Sequence, residues 1–388
     1  MESILLKDII QKPISGEWGL EDLYGTGIPV LRTANFTNEG IINFENVVTR
    51  NISPSKLKGK LLQKGDILLE KSGGSDRQPV GRVVYFDGQA DKYGFNNFTS
   101  ALRISDLTMW NPKYIFYALY ANYHHGGTRK YENKTTGLHN LKVDLFIRSF
   151  SVPYATLIKQ NEVVKKLDLL NHLENVCEVQ LQKLDELIKS RFIEMFGDLI
   201  NEPKYPGIKL GSLGVMITGG TPSRKHDEYY GGNIPFISTP CLGSNFISEK
   251  NVQNYLTEAG VKNSATHKIP PYSLMVGNRV GVGKSSINTC EMCTNQDILS
   301  FVDIDTSRFD LLFLKKVIDQ YSPYFDEHKR GATIQGVPSK VIKDSMVPDV
   351  PLEMQKRYTA LVKQSDKSKY REAIFLYLLE DIRICCNI

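Results

Sequence analysis

Gly27–Phe36 reads GIPVLRTANF, and Asn233–Leu242, in the second half of the chain, reads NIPFISTPCL. Each is a short apolar run that ends in a polar pair, Arg32-Thr33 in one and Ser238-Thr239 in the other. A run of this kind, flanked by turn-forming residues, reads as a buried strand passing into a loop. One transition written twice raises the question of how far the repetition extends.

It extends in both directions. Upstream, LLKDIIQKPISGEWG (Leu5–Gly19) matches KLGSLGVMITGGTPS (Lys209–Ser223), with Leu6, Asp8 and Ile9 answering to Leu210, Ser212 and Leu213, and Gly16 to Gly219. Both predict a capped helical turn leading into a Gly-rich loop. Downstream, KGDILLEKSGG (Lys64–Gly74) and PYSLMVGNRVG (Pro271–Gly281) each give a turn, a buried strand and a loop holding Lys71 or Arg279. A glycine followed by a cation then recurs, as Gly81-Arg82 and as Gly283-Lys284. NPKYIFYALYANY (Asn111–Tyr123) and FDLLFLKKVIDQY (Phe309–Tyr321) have the apolar spacing of core-facing helices. Polar loops follow, HHGGTRKYENKTTGL and SPYFDEHKRGATIQGV. The copies then match from Gly137 to Pro153 and from Gly336 to Pro351 with one residue of slippage, each ending in a strand and a proline that opens a helix. A period this long is a domain duplication rather than a solenoid repeat.

The first closing helix carries its own signature. Val163, Leu167, Leu170, Cys177, Leu181, Leu184, Ile188 and Met195 follow alternating spacings of four and three, with Glu174 and Arg191 at two seam positions. That is a coiled-coil seam, and Leu173, Val176, Leu187 and Phe192 widen it. In the second copy Met354, Tyr358, Leu361 and Val362 are the seam candidates, before the heptads give way to YREAIFLYLLEDIRICCNI. The second helix is expected to be the shorter, with an atypical end at Cys385-Cys386. GDLINEPKYPG, after Phe196, is a linker between the copies.

The composition of 388 residues, 41% hydrophobic and 23% charged, is that of a folded chain with about two domains. A net charge of +5 favours an anionic partner only mildly. No apolar run reaches the roughly 18 residues of a membrane span, and MESILLKDII lacks the basic start and apolar core of a secretory signal. The expectation is a cytoplasmic protein with reduced cysteines. Cys290-Glu-Met-Cys293 has no second ligand pair at zinc-finger spacing, and His124-His125 has no acidic or cysteine companions nearby, so no metal site is expected. VGNRVGVGKSS (Val276–Ser286) ends like a phosphate loop, but Asn278 occupies the place of the first required glycine, and starting from Gly277 the loop is one residue too long.

Two globular halves alternating with two helices, with GIPVLRTANF, KGDILL, a Gly-cation loop and SVP followed by Gln160 ahead of a coiled coil, resemble the specificity subunit of type I restriction-modification systems. The resemblance implies an α+β fold: two duplicated α/β target-recognition domains, 1–152 and 200–350, separated by two long helices, 153–199 and 351–388, that pair as an antiparallel coiled coil. It implies a chain without catalysis or cofactor of its own. Its partners would be double-stranded DNA, two methylation subunits and restriction subunits, with S-adenosylmethionine, ATP and Mg²⁺ belonging to those subunits and no membrane involved. Val163, Leu167, Leu170, Cys177, Leu181, Leu184, Ile188, Met195, Tyr358 and Leu361 would then pair the helices or meet partners.

Backbone phosphates are held by Lys, Arg, Ser and Thr, and base edges are read by Arg, Lys, Asn and Gln. The loop candidates of those types in the first half are Arg32, Thr33, Lys71, Ser72, Arg77, Arg82, Arg129 and Lys130, with Tyr131 beside them. In the second half they are Ser238, Thr239, Asn278, Arg279, Lys284, Lys329, Arg330 and Gln335. A self-contained adenine methyltransferase or nucleotide-dependent DNA enzyme is the alternative, and it fares poorly. Ile269-Pro270-Pro271-Tyr272 starts with a residue that cannot hydrogen-bond a flipped base, and Asn111-Pro112-Lys113-Tyr114 lacks the second proline.

Overall fold

The computed structural model describes residues 2–135, 138–252, 254–331 and 335–385. Contacts divide the chain into two compact units, residues 1–176 with the C-terminal stretch from Leu376, and residues 177–375.

Unit one is closed by its own ends. Ser3–Leu5 pairs antiparallel with Ser151–Pro153, and the Leu6 N–H donates to the Phe150 carbonyl at 2.8 Å. Between them lies an antiparallel sheet in the order Ile14–Ser15, Thr99–Leu102, Ile67–Glu70, Val83–Tyr85. A second sheet runs Leu20–Glu21, Val48–Asn51, Ile28–Leu31, Gly94–Phe95, its last pair parallel. Helix α1 (Pro112–His124) covers the first sheet. Its start follows from local chemistry, since Pro112 supplies a preset first turn and the Asn111 side chain accepts from the Lys113 N–H at 2.8 Å.

Helix α2 (Leu157–Phe196) is 40 residues long and contains neither Gly nor Pro. Its less exposed positions alternate by four and three, from Val163 through Leu167, Leu170, Cys177, Leu181, Leu184 and Ile188 to Met195, as the heptads require. Leu187, expected to widen that stripe, is instead 60% exposed, while Phe192 is wholly buried.

Unit two repeats the plan. Gly207–Lys209 pairs with Met346–Pro348, and the Leu210 N–H donates to the Ser345 carbonyl at 2.9 Å. The main sheet runs Val215–Thr218, Ile298–Val302, Leu274–Gly277, Ser285–Asn288, with Phe246–Ile247 added at the edge. Helix α3 (Leu311–Gln320) takes the place of α1, capped by Asp310. The strand pairings correct the sequence match: Pro153 corresponds to Pro348, not Pro351, because these are the residues that end the closing strands. Gly137, where that match begins, lies outside the described residues. The helical turns at Leu6–Ile9 and Leu210–Ser212 are present, but neither has a side-chain cap.

The glycines of the two copies do the same work. A Cβ on Gly16 would lie 2.2 Å from the Asn96 carbonyl oxygen, and one on Gly219 2.2 Å from that of Asn295. No side chain fits there.

Helix α4 (Leu352–Cys385) is 34 residues long, and Cys386 lies outside the described residues. Within unit two it packs antiparallel on the end of α2. Tyr358 lies against Phe192 and Phe196, with ring centroids 5.3 and 5.7 Å away, and its hydroxyl donates to the Ile188 carbonyl at 3.4 Å. Further along, Lys369 pairs with Asp185. As numbers rise on α4 they fall on α2. Val362 takes the buried seam position, and Leu361, expected there, is 39% exposed because it lies one residue round the helix.

Tyr358 touches Phe192, Phe196 and Phe313 with no solvent access, so Tyr358→Ala is expected to cost about 3–5 kcal/mol. Tyr370→Ala, at a 70% exposed position on the same helix, should change stability by less than about 0.5 kcal/mol. Denaturant unfolding of both variants measures the difference.

Candidate nucleic-acid interface

In each half, the segment just after the Ile67–Glu70 or Leu274–Gly277 strand is tied to the segment that precedes the final helical turn. The Lys71 carbonyl accepts from the Leu141 N–H at 2.8 Å, and the Asn278 carbonyl from the Val337 N–H at 2.7 Å. The Lys71 and Asn278 N–H groups donate to Phe98 and Asp297 at 2.9 and 3.0 Å. Lys71 therefore corresponds to Asn278, and Ser72 to Arg279. In the same register the Arg82 carbonyl accepts from Glu70 and the Lys284 carbonyl from Gly277, both at 2.8 Å, so the two Gly-cation pairs are true counterparts.

In the second half, Thr218, Asn278, Arg279, Gln296 and Arg330 line one open cleft of about 530 Å³. Arg279 is 54% exposed on its side chain, its guanidinium 3.7 Å from Asp297. The buried Asn278 Oδ1 has no hydrogen-bond partner among the described residues. Arg330 and Gly336 exchange both backbone bonds, at 2.8 and 2.9 Å, and both Arg330 and Gln335 are exposed. Gly336 is the hinge of this approach, since a Cβ there would lie 2.8 Å from both the Asn278 carbonyl and Arg279 Cγ. Lys329 is half-buried and paired with Asp326 at 2.5 Å, and Ser238 is half-buried. Thr218 and Gln296 were not singled out by sequence. They enter the cleft because Thr218 ends a strand paired with Ile298–Val302, which in turn pairs with Leu274–Gly277, and Gln296 sits in the turn that leads into Ile298–Val302.

In the first half Arg77, Arg129 and Lys130 are exposed, the Lys130 ammonium lying 5.1 Å from the Tyr131 ring centre. Lys71 Nζ donates to Ser15 Oγ at 2.9 Å, and burial pushes its ammonium pKa down, with Lys60 adding to the effect. Ser72 Oγ donates to Asn140 Oδ1 at 2.5 Å. Arg32 and Thr33 are half-buried. Arg32 Nη2 donates to the Asn46 carbonyl at 3.3 Å, while its buried Nε has no partner among the described residues.

Four candidates are placed elsewhere. Tyr131 is core, 8% exposed and edge-on to Phe146, and Thr239 is 2% exposed. Arg82 turns inward: its guanidinium donates to Glu70 at 3.1 Å and to the carbonyls of Phe36 and Thr33, both at 3.1 Å. In the second half Gly277 stands where Glu70 would be, so Lys284 has no such partner. It opens onto a different cleft, of about 610 Å³, with Lys315, Lys316, Asp319, Asp366 and Lys369.

Residues 278–284 join two antiparallel strands, with Val276 opposite Ser285. A phosphate loop instead leads a strand into a helix with free N–H groups. Here the Gly283 N–H is spent on the Gly277 carbonyl at 2.9 Å and the Ser285 hydroxyl on Asp319 at 3.2 Å, so the resemblance to a nucleotide loop ends at the sequence. Cys293 is buried, which pushes its thiol pKa up to about 11.

Residues 205–373 match the family described as type I restriction modification DNA specificity domain. The match takes in the second copy and the first part of its long helix. It is 26% identical over 155 residues to the type I restriction enzyme MjaIX specificity subunit of Methanocaldococcus jannaschii and 29% identical over 124 residues to the HindI specificity subunit of Haemophilus influenzae. These stretches cover 39% and 32% of this chain, and 36% and 27% of the relatives, so the chain spans about a third of the curated relatives it matches. Two solved structures share the fold over 99% of the chain. One is the type I S subunit from M. genitalium, with a TM-score of 0.60, 12% identity and 94% of that chain covered. The other comes from work on complex assembly and conformational transition of the type I R-M system, with a TM-score of 0.59, 14% identity and 96% covered. Among the described residues no helix is long and apolar enough to cross a membrane.

Glu70 is buried, which pushes its carboxyl pKa up, and Arg82 draws it back down. Arg82→Ala is expected to cost about 3–5 kcal/mol near neutral pH, because it strands a buried carboxylate. With a folded-state pKa above the unfolded one, the penalty is present at high pH and shrinks as Glu70 takes up its proton. Unfolding of the variant at about pH 8 and about pH 5 checks the sign: a defect that grows on acidification contradicts it.

Proposed function

We propose that this chain is the DNA-recognition subunit of a cytoplasmic type I restriction-modification assembly, each half reading one part of a split double-stranded target. The observation that carries this reading is the repeated loop geometry, which sets Lys71-Ser72 and Asn278-Arg279 at the same place in two separately folded readers. The recognition domains are 1–152 and 200–350. Helices 153–199 and 351–388 fix the gap between half-sites and dock two methylation subunits, to which restriction subunits add. A duplicated chain offers two like partners the same contacts, one set on each half. S-adenosylmethionine, ATP and Mg²⁺ act in those partners.

The DNA surface comprises Arg32, Thr33, Lys71, Ser72, Arg77, Arg129 and Lys130 in one half. In the other it comprises Ser238, Asn278, Arg279, Lys329, Arg330 and Gln335. Arg82, Tyr131, Thr239 and Lys284 are left out because of where they lie. Cations on this surface hold phosphates and release counterions, while Arg279, Asn278 and Gln335 have the chemistry to read base edges.

Exchanging residues 205–350 for those of a relative should change one half of the methylated sequence and leave the other intact. A change in both halves would refute independent readers.

Arg279→Ala and Arg330→Ala should weaken DNA binding by the assembled methyltransferase. If each holds a phosphate, each lowers the slope of log K against log salt by about one unit for every sequence alike. If Arg279 reads a guanine, its loss costs about 1–3 kcal/mol and relaxes one position of the second half-site. Titrations on cognate and single-base variant DNA at several salt concentrations separate the two, and wild-type behaviour in both variants removes the cleft from the interface.

A further inference from the structure

Two glutamines make the same three bonds in the two copies. Gln160, in the first turn of α2, accepts from the Asn111 N–H at 2.8 Å and donates to the Met109 and Ala155 carbonyls at 3.0 and 2.8 Å. Gln355, in the first turn of α4, accepts from the Asp310 N–H at 2.9 Å and donates to the Arg308 and Val350 carbonyls at 3.0 and 2.9 Å. Both are wholly buried. Asn111 and Asp310 are the caps of α1 and α3, so in each half one amide joins the start of the globular domain's helix to the start of the long helix that leaves it.

The surroundings of the two glutamines are not alike. In the first half Asn111 Nδ2 donates to Asn161 at 2.7 Å and Lys113 pairs with Asp168 at 2.8 Å. In the second, Arg308 pairs with Asp349 at 3.0 Å. Trp110 meets Tyr154 edge-on at 6.0 Å, where the second copy has Phe309 and Asp349. The amide bridge is unchanged while its neighbours differ. A planar amide with both N–H groups and its oxygen engaged admits one orientation, whereas packing of aliphatic groups admits several.

We propose that Gln160 and Gln355 are positioning residues that hold each reading domain at one angle to its helix, and so make the gap between the two half-sites single-valued. The proposal rests on the recognition function above. Neither residue touches DNA. Each acts on where its reader sits.

The test uses the chain assembled with its methylation subunits, on targets whose gap is native, one base pair shorter or one longer. Gln160→Met keeps the side-chain volume and removes all three bonds. Gln160→Glu keeps the acceptor and sets a carboxylate oxygen against two carbonyls. In both, discrimination against the wrong gap should fall about tenfold, as expected for a buried hydrogen-bond network released, while discrimination among single-base changes within each half-site stays as in the wild type. Unchanged gap discrimination with a lowered melting temperature would make the glutamine a stabiliser of the fold and overturn the proposal. Equal loss of gap and base discrimination would overturn it as well. A second readout needs no DNA: the distance distribution between genetically encoded spin labels at Lys58 and Lys166, both exposed, should broaden in the variants, and an unchanged width refutes positioning. A wild-type assembly indifferent to the gap would refute the recognition reading instead, and the label distances would still decide whether Gln160 sets the angle.

Discussion

Each half of this chain depends on closing its own ends. Ser3–Leu5 on Ser151–Pro153, and Gly207–Lys209 on Met346–Pro348, bring the first and last strands of a half side by side, so the chain enters and leaves at one place. The next residues in both copies start a long helix, and a buried glutamine ties its first turn back to the domain. Everything displayed at the far loops is therefore referred to one fixed root. Without that closure, a helix of 40 residues would lead away from a domain with no defined direction.

The chemistry of the loops is set by what the sheets leave over. The same backbone bonds recur at Lys71 and Asn278, yet the side chains there differ, as do their partners. Arg82 is drawn inward by Glu70, while Lys284, facing Gly277 instead, is released to another surface. A single change on the neighbouring strand decides whether a cation is structural or available. The two copies thus keep a common frame and diverge in what they present.

The contact between α2 and α4 shows a similar division of labour. Near Tyr358 the α2–α4 contact is aromatic and dry, with Phe192, Phe196 and Phe313 around one phenol. Further out it becomes polar, through Lys369 and Asp185. Apolar packing near the domain contributes stability, and the outer charged contacts contribute less because water screens them.

The sequence by itself determined the duplication, the two long helices and most of the seam, because strand alternation and heptad spacing are local periodicities that survive in a linear string. It also marked the turns at Gly16 and Gly219, where only a missing Cβ lets two strands approach. It could not say which candidate cations face outward. Arg82 and Lys284 look alike in sequence, and the difference lies in Glu70 and Gly277, which only pairing between strands brings beside them. Nor could it join Thr218, Gln296 and Arg330 into one cleft, or show that Leu361 gives its seam place to Val362. Those outcomes depend on contacts between residues far apart in the chain, and tertiary structure alone decides them.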